Sequence, residues 1–332
     1  MGATSTAGPQ RLTKLRRAAL LDSHPIVEKN YRIPTPMLER TYAVIRERVW
    51  TKRTGIYLYA SPRMGKTTCA EEVQSLLALE FPKFYVLRVD ARRSARPSES
   101  HLFRLLLDSV NHALSRRADV NLLFHNIKSD IMVQLASHGG SHFVLIIDEM
   151  HRLSDTDLEQ LLAIHNALRM ERITMTTVSF AQPEIRDRVT GLMTQRQHQI
   201  IARFLSEPLV FEGCSSAQEL GVILEAYDMH SEFPEGSGWS YTRFFLPEAY
   251  QNGFRLAAHN AVLWQTLAAA VGPHGSAGIP MEHICLSVEY LLLAARAEDC
   301  HSFSISEDNI REAVDASNLA LFSGLMHGHE LQ

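Results

Sequence analysis

Ala60-Ser61-Pro62-Arg63-Met64-Gly65-Lys66-Thr67-Thr68 lies between a short apolar run at 55–60 and a helical periodicity at 67–79. Its spacing is that of the P-loop, G-x-x-x-x-G-K-[ST], with Ala60 in place of the first glycine. In such a loop backbone N–H groups surround phosphates, and the helix that follows adds its dipole. Lys66 is expected to reach the β- and γ-phosphates of ATP and the Thr67 hydroxyl to bind Mg²⁺, with Ser61, Pro62, Arg63, Met64, Gly65 and Thr68 completing the cradle. Alanine at position 60 must keep φ negative, a constraint that glycine does not impose.

Outward from this stretch the chain alternates. Apolar, β-branched or aromatic runs of strand length occur at 55–60, 84–89, 142–147, 173–180 and 208–211. Helical periodicities lie between them, at 67–79, 100–114, 122–136, 156–170 and 184–204. The order predicts an α/β fold, a parallel sheet with helices on both faces. After residue 212 the strands nearly stop, and helices are expected at 215–228, 247–271, 280–298 and 306–321. The division expected is a flexible basic arm over 1–23, an αβα nucleotide domain over 24–212 and a small helical domain over 213–332. A plain solvated tail is the alternative for 1–23.

The 332 residues are 45% hydrophobic and 21% charged, which excludes a disordered, collagenous or disulfide-framework chain. A net charge of -4 hides an asymmetry. Residues 1–53 hold 11 Lys/Arg against 4 Asp/Glu, whereas 207–251 hold 8 Asp/Glu against Arg243 alone, so only the first stretch would attract an anionic polymer. Cys69, Cys214, Cys285 and Cys300 form no C-x-x-C pair, which points to a reducing compartment. The most apolar segment, 257–271, is interrupted by His259, Asn260 and Gln265, and residues 1–23 lack a signal-peptide apolar block. A cytoplasmic protein is expected.

The second chemical signal is Phe143-Val144-Leu145-Ile146-Ile147-Asp148-Glu149, an apolar strand ending in two carboxylates. Ligands of open α/β sheets bind at carboxyl strand ends. Asp148 would hold the Mg²⁺ shell, and Glu149 would polarise the water that attacks the γ-phosphate. A complete strand-helix unit separates this strand from the P-loop. That order resembles the additional-strand class of P-loop ATPases more than nucleoside kinases, and so favours hydrolysis over phosphoryl transfer.

With these motifs in place the chain resembles an AAA+ ATPase of the initiator/TnsC branch over about residues 24–320, with 24–212 as the ATPase domain and 213–332 as the lid. The resemblance implies a γ-phosphate sensor after the fourth strand, with Gln182 the better match and Ser179 the second. It implies an arginine finger acting on the neighbouring subunit, Arg203 or else Arg196, and a lid arginine, Arg255 of Gly253-Phe254-Arg255. Bacterial TnsC/TniB transposition regulators look most similar, through the proline-containing P-loop and Ile146-Ile147-Asp148-Glu149-Met150-His151. Such proteins assemble as ATP-bound rings or filaments on double-stranded DNA and bridge a target selector of the TniQ type to a transposase of the TnsB type. Hydrolysis drives disassembly.

Arg92-Arg93-Ser94-Ala95-Arg96 follows the second strand, and Arg92, Arg93 and Arg96 are the candidates for gripping DNA phosphates. A signalling or defence ATPase that binds protein partners and no DNA is the competing class. Asp148-Glu149-Met150-His151 also resembles the helicase motif D-E-A-H, but such enzymes need a second RecA-like domain where helices are expected here. Trp239, Tyr241, Phe244 and Phe245 read as packing into their own domain.

Overall fold

A computed structural model describes residues 14–94, 98–112, 119–272 and 278–328. They form two compact units: Arg40–Phe211, and a second in which the residues up to Glu39 join those from Glu212 onward. The first unit is built on five parallel strands, β1 (Gly55–Tyr59), β2 (Phe84–Asp90), β3 (His142–Asp148), β4 (Thr174–Ala181) and β5 (Pro208–Val210), in the order β2-β3-β4-β1-β5. β3 is buried at every position, as a run of five apolar residues inside a helix-covered parallel sheet should be. Helices make the crossovers, and the expected α/β architecture is the one observed. Since β4 lies between β3 and β1, the carboxyl ends of these three strands emerge side by side.

Helix ends follow local chemistry. Asp119 accepts the N–H groups of Asn121 and Leu122 and starts Val120–His138, and Gly139, at φ +65°, stops it. At Gly55 the demand is steric. A Cβ there would meet the Arg203 carbonyl oxygen at 2.2 Å, so only glycine lets the helix His198–Phe204 pass over the start of β1.

The expected long helix at 184–204 is two helices, Ile185–Thr194 and His198–Phe204, because the chain turns at Arg196 with φ +61°. Likewise 247–271 divides into Pro247–Gln251, a 3-10 turn Leu256–His259 and Asn260–Val271, with Gly253 at φ +97°. The helix expected over 100–114 spans His101–Ser109, and that over 306–321 becomes Glu307–Ala316 and Leu319–Gly328 around Asn318, at φ +58°.

The N-terminal segment also differs from expectation. Of the arm expected over 1–23, residues 1–13 lie outside the described residues, Lys14–Leu20 is a helix, and Arg17 Nη1 donates to the Phe244 carbonyl at 3.0 Å. His24, fully buried, lies within 5 Å of the rings of Phe233, Tyr241, Phe244 and Phe245. Lys29 pairs with Glu289, and the Tyr31 hydroxyl donates to the same carboxylate at 2.8 Å. These contacts assign 24–39 to the helical unit. Trp239, Tyr241, Phe244 and Phe245 are buried in that unit.

Two predictions follow from packing. Gly55→Ala forces a methyl against backbone, and overpacking of this kind costs about 1–3 kcal/mol, so the melting temperature should drop by roughly 2–10 °C. An unchanged melt would refute the close approach. Burial pushes the His24 imidazole down to about 4, so the unfolded chain binds more protons between about pH 6.5 and 4. That contribution to stability is complete above about pH 6.5 and is lost as pH falls toward 4. His24→Phe should flatten that part of the melting-temperature profile.

Candidate active site

β1 delivers the chain into the loop 60–65, where the Ala60 N–H donates to the Ala181 carbonyl at 3.2 Å and so ties the loop to the end of β4. Ala60 is buried and is not among the residues with positive φ, which is how alanine takes the place of the expected glycine. Arg63 (φ +65°) and Gly65 (φ +96°) are left-handed and curl the loop into the helix Lys66–Glu80, while Met64 is buried beneath. Ser61 and Pro62 are half-buried in the loop, and Thr68 is exposed in the helix's first turn.

Lys66 is 6% exposed, and its Nζ donates to the carbonyls of Ala60 and Ser61, both at 2.8 Å. Burial lowers its pKa, and the carboxylates of Glu149, Asp148 and Glu184 act in the opposite direction. Asp148 closes β3 with 2% exposure; its side chain is hydrogen-bonded to the Thr67 hydroxyl, and its Oδ1 accepts the Glu149 N–H at 2.9 Å. Burial raises the Asp148 pKa, whereas these two hydrogen bonds lower it. A hydroxyl and a carboxylate side by side make a small, hard oxygen donor set, and this fits Mg²⁺, which is bound through one or two protein oxygens and keeps several waters.

Glu149 follows in the left-handed region, at φ +57°. Its Oε2 gathers Arg152 Nε at 2.8 Å, Gln182 Nε2 at 3.3 Å and His151 Nε2 at 3.6 Å. The structure thus brings Lys66, Thr67, Asp148, Glu149 and Gln182 together. Ser179, the other sensor candidate, is enclosed in β4 with its hydroxyl unpartnered among the described residues. Arg203, half-buried, donates to the Gln199 carbonyl at 3.4 Å, and Arg196 is exposed in the turn between helices. Arg255 lies in the helical unit, where its guanidinium stacks 3.6 Å from the Tyr250 ring centroid and donates to the Tyr250 and Phe254 carbonyls.

Arg92 and Arg93 are exposed just beyond β2; Arg96 lies outside the described residues. The Ala91 N–H donates to the Asp148 carbonyl at 2.9 Å, so the arginine-bearing segment is tied at its start to the end of the acidic strand. Sequence reasoning missed His151 and Arg152 as partners of Glu149. The available signal was their offset of two and three residues, which the 3-10 turn Met150–Arg152 folds back toward the carboxylate.

The parallel sheet carries a loop of P-loop spacing after β1 and an Asp-Glu pair after β3. Residues 50–189 match the family model described as an AAA domain. The ORC2 protein of Aeropyrum pernix, in ADPNP–ADP complexes, is similar in structure at 17% identity and a TM-score of 0.56, over 88% of this chain and 71% of that one. The ORC1 protein of Aeropyrum pernix, in complex with DNA, is similar at 14% identity and a TM-score of 0.51, over 87% and 67%. At these identities the likeness is one of fold, the AAA+ fold. A search of curated proteins returned no match. No helix among the described residues is long and apolar enough to cross a membrane.

Lys66→Ala removes the buried cation of the loop and is expected to abolish ATP binding, whereas Glu149→Gln should leave it intact. Titration calorimetry with ATP and Mg²⁺ checks both; wild-type affinity in the Lys66 variant would overturn the site.

Proposed function

We propose that this protein is an ATP-hydrolysing switch that assembles on double-stranded DNA. The observation that carries the hydrolytic half is the Thr67–Asp148 hydrogen bond with Glu149 next in the chain, since it puts the two residues read as metal-holding beside the one read as the base. Bound Mg²⁺ would neutralise charge developing on the phosphates, and Thr67 with Asp148 would hold it. Lys66 binds the phosphates and Glu149 accepts a proton from the attacking water. Gln182, within hydrogen-bond reach of Glu149, is the γ-phosphate sensor in this reading. Arg203 supplies its charge to the neighbouring subunit, and Arg255 is the lid arginine.

The DNA half is supported by the exposed Arg92 and Arg93 and by the fold shared with the ORC1 protein of Aeropyrum pernix, which has been described in complex with DNA. The finer reading is a bacterial cytoplasmic regulator of DNA transposition, bridging a target selector to a transposase, with hydrolysis timing disassembly. It is supported by the P-loop and strand-end resemblance to TnsC/TniB proteins. A strand-transfer assay tests it: an assembly that binds DNA and leaves strand transfer unchanged reduces the reading to an ATP-switched scaffold.

The experiment for DNA binding is duplex affinity against salt with a slowly hydrolysed ATP analogue. Replacing Arg92, Arg93 and Arg96 by alanine should flatten the log–log slope by up to roughly 2 to 3 and weaken all sequences alike. Absence of duplex binding by the wild-type chain would favour the protein-partner switch instead.

A further inference from the structure

Three donors meet one oxygen of the Glu149 carboxylate. Arg152, Gln182 and His151 all face Oε2, and among the described residues Oε1 receives no hydrogen bond. Arg152 reaches that oxygen from a side chain 47% exposed. His151 differs from it in being held from both sides, and burial lowers its pKa.

Its Nδ1 accepts the Gln182 main-chain N–H at 3.2 Å. A backbone N–H can only donate, so Nδ1 carries the lone pair and the proton of the neutral ring resides on Nε2, the nitrogen that faces Glu149. The His151 carbonyl accepts from Arg188 Nη1 at 3.3 Å, and the same guanidinium binds the Leu153 carbonyl and Asp155, which fixes the turn from which the ring projects. The imidazole is therefore held by the end of β4 and by the helix Ile185–Thr194, with its Nε2 3.6 Å from Oε2 of the base.

We propose that His151 is a positioning residue for hydrolysis, resting on the ATP-hydrolysing reading above. Its Nε2–H holds Oε2 of Glu149, so that Oε1 is the oxygen presented to water. In the step it serves, Oε1 takes a proton from the water whose oxygen bonds to the γ-phosphorus, while the bond from that phosphorus to the bridging oxygen breaks and its electron pair leaves with ADP. The separation of 3.6 Å is longer than a hydrogen bond, and catalytic contacts of this kind tighten when substrate occupies the site. The same ring couples the base to the Gln182 backbone, joining the ends of β3 and β4 through one side chain.

Three substitutions separate the two nitrogens. His151→Phe keeps the volume and removes both; His151→Gln places an amide N–H where Nε2 stands; His151→Asn places an oxygen where Nδ1 stands. Steady-state ATP hydrolysis by the full chain, with nucleotide affinity and melting temperature as controls, is the measurement. The Phe variant should lose about 10- to 100-fold in kcat with KM for ATP unchanged, the size usual for groups that orient a reacting residue. The Gln variant should recover most of that loss, and the Asn variant should not. Wild-type kcat in the Phe variant, recovery by Asn and not by Gln, or loss of ATP affinity and early melting in all three would each overturn the assignment. A wild-type chain that binds ATP and never turns it over would instead remove the hydrolytic reading itself.

Discussion

Asp148 sits at the end of a fully buried strand, where desolvation opposes the charge of its carboxylate, and hydrogen-bond donors reach the residue, two at the side chain and one at the backbone, from three directions. Thr67 reaches it from the P-loop helix, the Glu149 N–H from its own turn, and the Ala91 N–H bonds its carbonyl from the neighbouring β2. Breaking one of these leaves a buried acceptor short of donors, at roughly 1–3 kcal/mol. The sheet order matters for the same reason. Only with β3, β4 and β1 side by side can the loop lysine, the acid pair and the β4 terminus be neighbours.

Backbone strain gathers around this point. Arg63 and Glu149 both adopt left-handed conformations that cost a non-glycine residue about 1–2 kcal/mol. Each is held by its neighbours: Gly65 and the helix it opens on one side, the hydrogen bond to Asp148 and the turn closed by the Arg152 N–H on the Glu149 carbonyl on the other. At position 149 the conformation redirects the chain at the strand end and lets residues 151 and 152 double back onto the carboxylate that precedes them. Strain at such a place is a positioning device.

Much of the sheet unit was legible in the sequence because its signals are local. The run Phe143–Ile147 can only be a buried strand, and Gly65-Lys66-Thr67 after β1 can only begin a helix at a phosphate-sized loop. What stayed hidden depends on contacts distant in the chain. His24 gives no hint that its ring is enclosed by residues 233, 241, 244 and 245, so the first residues read as a free arm. The break at Arg196 was masked because the apolar period continues through it, with Ile185 and Leu192 buried on one side and Ile200 and Phe204 on the other. Convergence on Glu149 was invisible for another reason: histidine and arginine after D-E read as solvated until a 3-10 turn brings them back.

The helical unit is assembled from two stretches of chain, one before Glu39 and one after Glu212, with the entire sheet unit inserted between them. On the ribosome this imposes an order. The sheet unit is complete once Phe211 has emerged, whereas Lys29 and Tyr31 must wait for Glu289, about 260 residues later, before their buried partner exists. Vectorial synthesis therefore favours the sheet unit folding first, and the early segment spends translation with its aromatic and ionic contacts unmade. Nascent chains arrested before residue 289 should accordingly carry a finished sheet unit and an N-terminal stretch open to proteases or chaperones.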